Sequence, residues 1–531
     1  AVLGTPRHAD HRGTPDLGTD AVTFEDTRTT NQAPNPANIN ADGTSNLRVA
    51  TFNVENYFTE TGEQFAADNP AIGNSADGVN SSTTKGCQYD YDRAAHRELT
   101  YQCVSPFGQA TKWDDVSGNP TAYKAGAMNA PRGAARDEDF ARQTAKIVTA
   151  INGLGGIDTH AVNHGSGADI ISLEEIENPI KLKRGITNSP LSPDLSNLKD
   201  QGQGTPIANR DEALKYLVDQ LNKAAGSDVW GYVKSPEEAT DATPYTHMCS
   251  ILRGDGVTPI DGNAASLANA SCSYASGQDV IRSAFIYKRA TIVPVGASDI
   301  DFPANPMSPD GVGNNAQPTY NGATPFDLAR EPLAQFFKPK GYPNSAGFAV
   351  IVNHFKSKGG TSTSDDPKIT VTGDNKSDPL VGAYNTARTA EAKELVRFAN
   401  EFADKWDTDK VLMVGDFNSY TDEDPVNEVL SDSQGGLDFS LIESSDTNDI
   451  TYNYTSNVNV GTDASGQLHV ATPNTSGTSG TDQVGYGTVG SIDHEFISAG
   501  LESMLTGADV WEINANETDA YDYGRFNTNA T

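Results

Sequence analysis

Several side chains with chemical capacity stand at or just past the polar ends of apolar runs: Asn53, Glu55, Glu175, His354, Asp416, Asn418, Asp493 and His494. Carboxylate and amide oxygens are the donors that Mg²⁺ or Mn²⁺ prefers, and an imidazole among them can move a proton near neutral pH. Gathered in one cleft, these groups suit hydrolysis of a phosphoester, with an ion to neutralise developing charge, a base for water and cations on the phosphate. Taken singly, each has an ordinary reading. An Asp or Asn after a strand is usually a turn residue, a strand-end His is commonly structural, and Glu174, Glu175 and Glu177 read equally well as a solvated charge run. No G-x-S-x-G elbow, HExxH helix, P-loop or GxGxxG occurs.

The elements that must position these groups are strands. The runs 168–178 (ADIISLEEIEN), 279–288 (DVIRSAFIYK), 330–337 (REPLAQFF), 346–359 (AGFAVIVNHFKSKG), 410–419 (KVLMVGDFNS) and 490–498 (GSIDHEFIS) have the length and Val/Ile/Phe content of buried strands, as does LRVATFNV from Leu47. Helical spacing predicts helices near 137–152 (Phe140, Thr144, Ile147, Val148, Ile151), 210–224 (Leu214, Leu217, Val218, Leu221) and 385–403 (Ala387, Leu395, Phe398, Ala399, Phe402). Long polar stretches separate them at 59–135, 236–278, 296–325, 359–383 and 453–489. Because strand-like runs are spread along the whole chain, one large domain with long insertions is expected, preceded by a Pro/Asp/Asn-rich linker or the end of an upstream module at 1–46.

The 531 residues carry 71 Asp+Glu against 38 Lys+Arg, a net charge of −33 with pI near 4.5. That field excludes a general basic nucleic-acid coat, so a phosphate substrate must be met by local cations or metal. No run approaches the ~20 apolar residues that span a bilayer. The chain opens at Ala1 without an apolar leader, which reads as a processed form or a fragment. The four cysteines fall into two local pairs, Cys87 with Cys103 and Cys249 with Cys272, without zinc-type spacing. Disulfides stapling two of the polar stretches in a secreted or cell-surface protein are expected, with buried thiols as the alternative. Asp374-Asn375 and the acidic run 421–424 are candidates for structural Ca²⁺ and equally for solvated loops. His8 with His11 and His160 with His164 are spaced like ligand pairs but lie in loop-forming sequence.

Read together, RVATFNVENYF (48–58), ADIISLEEIEN, DVIRSAFIYK, AREPLAQFF (329–337), VIVNHFKSKGG (350–360), VLMVGDFNS (411–419), GSIDHEFIS and the WEIN…TDAYDY stretch (511–523) resemble, in order, the endonuclease/exonuclease/phosphatase superfamily of deoxyribonuclease-like enzymes, and within it the bacterial extracellular nuclease branch. The resemblance implies an α/β fold, a four-layer α/β/β/α sandwich of two mixed sheets flanked by helices, over 47–531. It implies Glu175 as principal metal ligand, with Asn53 and Glu55 beside it and Asn56 competing with Glu55. Arg330 and Lys356 take the phosphate-binding places, with Lys358 near. His354 takes that of an active-site His, and Asp416 with Asn418 that of the Gly-Asp-x-Asn pair. Asp493 matches an Asp that orients the general base, a His in a terminal Ser-Asp-His strand. No Ser-Asp-His occurs here, so that strand lies beyond Thr531, is a separate piece, or has been replaced, with His494 as the substitute weighed; Arg282 is either a phosphate contact or a strand-face cation. The function so implied is a secreted Mg²⁺- or Mn²⁺-dependent phosphodiesterase cleaving extracellular DNA or RNA. The alternatives are a phosphatase or a diesterase for small or lipid phosphoesters on the same site, and a noncatalytic surface or assembly protein on this scaffold.

Overall fold

The computed structural model describes residues 47–59, 61, 86–91, 97–104, 133–134, 137–157, 167–177, 211–234, 281–301, 320, 325–359, 371, 373–375, 381–431, 435–442, 452–453, 459–462, 468–471 and 489–511; for 86–91, 97–104, 138, 452–453, 459–462, 468–471 and 489–490 it gives the backbone alone. Residues 1–46, His160, His164, Cys249, Cys272 and the chain after Trp511 lie outside the described residues.

In chain order the strands are β1 (Val49–Tyr57), β2 (Gly86–Tyr91), β3 (Arg97–Val104), β4 (Ile170–Glu177), β5 (Trp230–Tyr232), β6 (Ile281–Lys288), β7 (Ile292–Ile300), β8 (Leu333–Pro339), β9 (Phe348–His354), β10 (Val411–Asp416), β11 (Phe439–Ile442), β12 (Tyr452–Asn453), β13 (Asn459–Thr462), β14 (Leu468–Ala471), β15 (Val489–Gly490) and β16 (Asp493–Ser498). The helices are α1 (Asp137–Leu154), α2 (Glu212–Ala225), α3 (Asn385–Trp406), α4 (Asp424–Leu430) and α5 (Ala499–Glu502). Among these residues a four-stranded sheet runs β1-β4-β6-β5 and a six-stranded sheet runs β11-β16-β10-β9-β8-β7. Both are mixed, with β1 parallel to β4 and β9 parallel to β10 while the remaining pairs are antiparallel. Small two-stranded ribbons β2-β3, β12-β15 and β13-β14 complete the inventory.

Side-chain alternation along the strands builds the layers. In β10, Leu412 and Val414 join Val350, Val352, Ile170, Phe285 and Phe337 in the core between the sheets, whereas Val411 and Met413 turn outward to Leu395, Phe398 and Phe402 of α3. Across the other sheet, Ile171, Leu173, Ala284 and Ile286 face Ile147, Val148 and Ile151 of α1 and Leu214, Leu217, Val218 and Leu221 of α2. The result is a four-layer α/β/β/α sandwich of two mixed sheets. Full burial of each such Leu, Ile or Phe stabilises by about 1.5–3 kcal/mol, so the two flanking cores hold helices to sheets independently of the site.

The helices reach slightly further than their periodicity suggests, and the short elements β2, β3, β5, β11 to β14 and α5, together with β7 and α4, escape the sequence reading. Strand β7 carries Pro294, a residue that lowers a strand reading except at an edge, and β7 is the edge of its sheet. Helix α4 is too short for periodicity to show. Asp374 caps the start of α3: its Oδ1 accepts from the Thr386 N–H at 3.0 Å and its Oδ2 from the Ala387 N–H at 3.1 Å, and Tyr320 donates to Oδ2 at 2.8 Å. In the acidic run, Glu423 pairs with Lys358 and Asp424 accepts from Asn385 at 2.7 Å.

Candidate active site

The carboxyl ends of β9 and β10 lie side by side, with β16 running antiparallel along β10. Register pairs His354 with Asp416 and Asp416 with Asp493, so three site candidates form one row across three strands. Parity puts Asp416 on the face of Leu412 and Val414, between the sheets. The preceding Gly415 has φ +132°, and a Cβ there would stand 2.1 Å from the Asn353 carbonyl, so only glycine lets β10 press this close to β9.

The opposite sheet supplies a facing row. Asn53 of β1 pairs with Glu174 of β4, and the register slips immediately beyond, between Asn53 and Tyr57. The slip falls on Glu55 (φ +54°), Asn56 (φ +51°) and Glu175 (φ +64°), all in the left-handed region. This double bulge re-aims Glu175 toward the cleft. Its Oε2 accepts from the Asn56 N–H at 2.9 Å and its Oε1 from Asn53 Nδ2 at 3.2 Å. Asn53 Nδ2 also stands 3.5 Å from Asp416 Oδ2, and His354 Nε2 lies 3.9 Å from Glu175 Oε1 and 3.6 Å from Asp416 Oδ2. Residues 363 positions apart in the chain thus meet at one amide nitrogen.

Burial, then the charges of Asp493 and Glu175, hold the Asp416 carboxyl well above the usual carboxylate range, although the Asn418 N–H bonded to Oδ1 at 2.8 Å opposes this. Glu174 is no solvated acid: it is fully buried, accepts from Thr51 Oγ1 at 2.8 Å, and burial pushes its carboxyl up to about 8. Glu177 is likewise buried, with Oε2 accepting from Thr59.

Asn418, itself at φ +47°, donates from Nδ2 to the Phe355 carbonyl at 3.0 Å, and Arg330 Nη1 donates to that same oxygen at 3.3 Å. Arg330, Asn418 and the end of β9 therefore converge on one peptide. Lys356 holds its ammonium 4.3 Å from the centre of the Tyr384 ring. Glu55 is exposed and meets the site through its backbone, its N–H donating to Asn53 Oδ1 at 2.9 Å.

His494 does not join the cluster. It pairs in register with Gly415 and so points to the α3 side, where it is buried against Phe417 and Phe496. Its Nε2 lies 2.7 Å from the Ser419 carbonyl and donates to it, and burial holds the imidazole down at about 4. Alternation along β16 is the reason: Asp493 takes the cleft face and its neighbour must take the other. Two further cations are bound elsewhere, Arg282 to Asp211 at the start of α2 and Lys358 to Glu423.

Sequence reasoning missed Arg388 and Glu391 of α3, both fully buried. Arg388 bonds to Ser419 Oγ and to the carbonyls of Lys356, Val381 and Ala383, and Glu391 accepts from the Lys356 N–H at 2.9 Å. Their signal was present in the helical phase: 388 and 391 share a stripe with Ala392 and Leu395, and a charged pair on an apolar stripe has to be explained.

Among the described residues, no three His, Cys, Asp or Glu side chains already stand in ion-clasping geometry. The donor chemistry nevertheless fits a hard cation. Glu175 Oε1 and Asp416 Oδ2 are aimed at one point, and the group lying there is the partly positive NH₂ of Asn53.

No protein-family model matches the chain, and no curated protein does. Solved structures do. An endonuclease/exonuclease/phosphatase family protein from Bacteroides thetaiotaomicron is 11% identical, covers 68% of this chain and 77% of its own, and has a TM-score of 0.30. A mannosyl-6-phosphatase from Bacteroides thetaiotaomicron is 12% identical over 68% of this chain and 81% of its own, at 0.28. Zebrafish (D. rerio) TDP2 complexed with a single-strand DNA product is 10% identical over 67% and 77%, at 0.27. At these scores the likeness carries no argument by itself, and the fold rests on the sheet topology described above.

Proposed function

We propose that the chain is a divalent-metal-dependent phosphoester hydrolase of the endonuclease/exonuclease/phosphatase type that acts on nucleic acid outside the cell. The observation that supports this most is the meeting of Asn53, Glu175, His354 and Asp416, from four strands of two sheets, within hydrogen-bonding or near-contact distances. Glu175 and Asp416, with Asn53 once its amide turns its oxygen inward, would hold Mg²⁺ or Mn²⁺, and the bound ion would neutralise charge developing on the phosphate oxygens. The other steps belong to the protein. Asp416 orients the attacking water, whose proton passes to solvent; the water–phosphorus bond forms as the ester O–P bond breaks, and the leaving alkoxide takes a proton from solvent. Asn418, Arg330 and His354 meet the phosphate, and Lys356 supplies local positive charge against the net −33. Asp493 lies beside Asp416 and sharpens the need for a cation.

Secretion is part of the same proposal. Cys87 and Cys103 stand directly opposite each other in the β2–β3 register, which supports a cross-strand disulfide and an oxidising compartment. The net charge favours a second reading, a phosphatase or diesterase for small phosphoesters, because small substrates cross a repulsive field more easily. Nicking of supercoiled plasmid and turnover of p-nitrophenyl phosphate, each with Mg²⁺ or Mn²⁺ and with EDTA, separate the two. Metal-dependent nicking lost in Glu175→Gln supports the nuclease, and phosphatase turnover without nicking moves the protein to the second reading. Nicking that persists in EDTA, or at wild-type rate in Glu175→Gln, sinks the site assignment; no hydrolysis at all leaves a noncatalytic scaffold.

A further inference from the structure

Arg388 is a wholly buried guanidinium with no carboxylate in its hydrogen-bonding shell as described. Its bonds go instead to three carbonyls and one hydroxyl: Nε to Ser419 Oγ at 3.1 Å, Nη1 to the Lys356 carbonyl at 3.3 Å and the Ala383 carbonyl at 2.6 Å, and Nη2 to the Val381 carbonyl at 2.9 Å. Burying that charge among neutral acceptors is costly unless the geometry is good, and burial does pull its pKa down, opposed chiefly by the charges of Glu423 and Glu391. One helical turn on, Glu391 takes the Lys356 N–H. The two α3 side chains therefore hold both polar groups of the Lys356 residue, whose chain neighbour Phe355 is tied to Asp416 by its N–H at 2.9 Å and to Asn418 and Arg330 by its carbonyl. Ser419, on the other arm, follows Asn418 directly and presents its carbonyl to His494.

We propose that Arg388, with Glu391, is a positioning residue: it locks the strand end carrying His354 and Lys356 to the loop carrying Asp416 and Asn418, and so sets the spacing across which phosphate is attacked. It touches no substrate. This rests on the hydrolase reading above. A guanidinium is required because its planar fork spans separated acceptors that the single point charge of lysine cannot reach together.

The test compares wild type, Arg388→Lys, Ser419→Ala and Asn418→Ala, singly and with Arg388→Lys combined with Asn418→Ala. Each is assayed by Mn²⁺-dependent nicking per folded molecule, foldedness being read from cooperative thermal unfolding. Misplacement by about 1 Å costs on the order of 10²-fold in rate. The expectation is that Arg388→Lys lowers kcat about 100-fold with KM changed less than about threefold. Ser419→Ala, which removes one bond of the four, lowers kcat about 3- to 10-fold. In the Asn418→Ala background, Arg388→Lys loses most of its effect, because the group it positions is gone. A merely structural role lowers the unfolding temperature while kcat per folded molecule stays within twofold, and the double variant multiplies; either result overturns the proposal. Should Arg388→Lys not fold, Ser419→Ala decides, and wild-type kcat there overturns it. If wild type itself fails to hydrolyse, the hydrolase reading falls and takes this one with it, whereas an active wild type beside fully active variants refutes the positioning role alone.

Discussion

The charge balance of the cleft makes Glu175→Gln a test that needs no substrate. Two acceptors served by one amide nitrogen lie roughly 4–6 Å apart, and at an effective dielectric constant of ~20 two carboxylates at that separation repel by about 3 kcal/mol. Asn53 and His354 soften the repulsion, and the Asp416 carboxyl is raised by burial first, then by Asp493, with Glu175 adding to it. Glutamine keeps an oxygen for the Asn56 N–H and removes the charge facing Asp416, a gain reduced by setting its NH₂ against the Asn53 NH₂. In EDTA at pH 7.5 the variant should therefore be more stable than wild type by about 1–3 kcal/mol, which at ~2 °C per kcal/mol for a large domain is a rise of roughly 2–6 °C in the unfolding temperature. Addition of Mn²⁺ should invert the order. At 100 times its Kd an ion adds ~2.7 kcal/mol to the protein that binds it, so wild type should gain several degrees and Glu175→Gln should gain little. Differential scanning fluorimetry with and without Mn²⁺ reads both. A Glu175→Gln protein that is less stable than wild type in EDTA, or that answers Mn²⁺ equally, refutes the idea that these oxygens are gathered for a cation.

Stability should also fall as pH rises. Burial lifts Glu174 to about 8 and Glu391 to about 7 from 4.5, so each favours folding fully below pH 4.5 and loses that contribution as pH climbs through its folded value; for Glu391 alone the loss is about 3 kcal/mol. His494 runs the other way, helping above 6.5 and losing its contribution as pH falls toward about 4. Urea midpoints in EDTA should accordingly drop between pH 5.5 and 8, and a rising midpoint contradicts the burial argument. His494→Gln, which keeps a donor for the Ser419 carbonyl, should leave kcat and its pH profile within twofold of wild type, while His494→Ala strands that carbonyl and costs about 1–3 kcal/mol; a 100-fold fall in kcat for the glutamine variant would restore His494 as a base. Non-reducing alkylation followed by peptide mass mapping should recover Cys87 linked to Cys103, and quantitative alkylation of native protein rules the disulfide out.

Much of this arrangement was legible because a strand end is a strong signal twice over. The run VLMVGDFNS announces a buried strand by its apolar content, and its polar terminus announces the end at which Asp416 and Asn418 emerge. The same holds for His354 after AVIVN and for Asn53 after VATF. Alternation along β16 set Asp493 and His494 on opposite faces, but only the register against β10 shows that Asp493 takes the cleft and His494 the other side. Alternation failed at the bulges, because a slip of register between β1 and β4 is a tertiary event that leaves no period in the sequence, and Glu174 and Glu175 cannot be assigned to buried ladder and open cleft without it. Arg388 and Glu391 escaped for a different reason. Charged residues on a helix are read as solvated by default, and only their phase against Leu395 argued otherwise.

Those bulges also say where the molecule has given up stability. Glu55, Asn56, Glu175 and Asn418 all hold positive φ, and none is glycine. Left-handed backbone is mild for asparagine, but a glutamate there carries strain of order 1–3 kcal/mol. A glycine at 175 would relieve the backbone and lose the carboxylate; a regular β4 would relieve it too, and would return the side chain at 175 to the α1 face, among Ile171 and Leu173. Neither relaxed alternative presents an oxygen to Asn53, His354 and Asp416 at once. The strain therefore sits where the chain needs two consecutive acids to leave by different routes, Glu174 into the buried Thr51–Ser172 network and Glu175 into the open cleft. Only that divergence keeps the second carboxylate at the open cleft while the first stays sealed between the sheets.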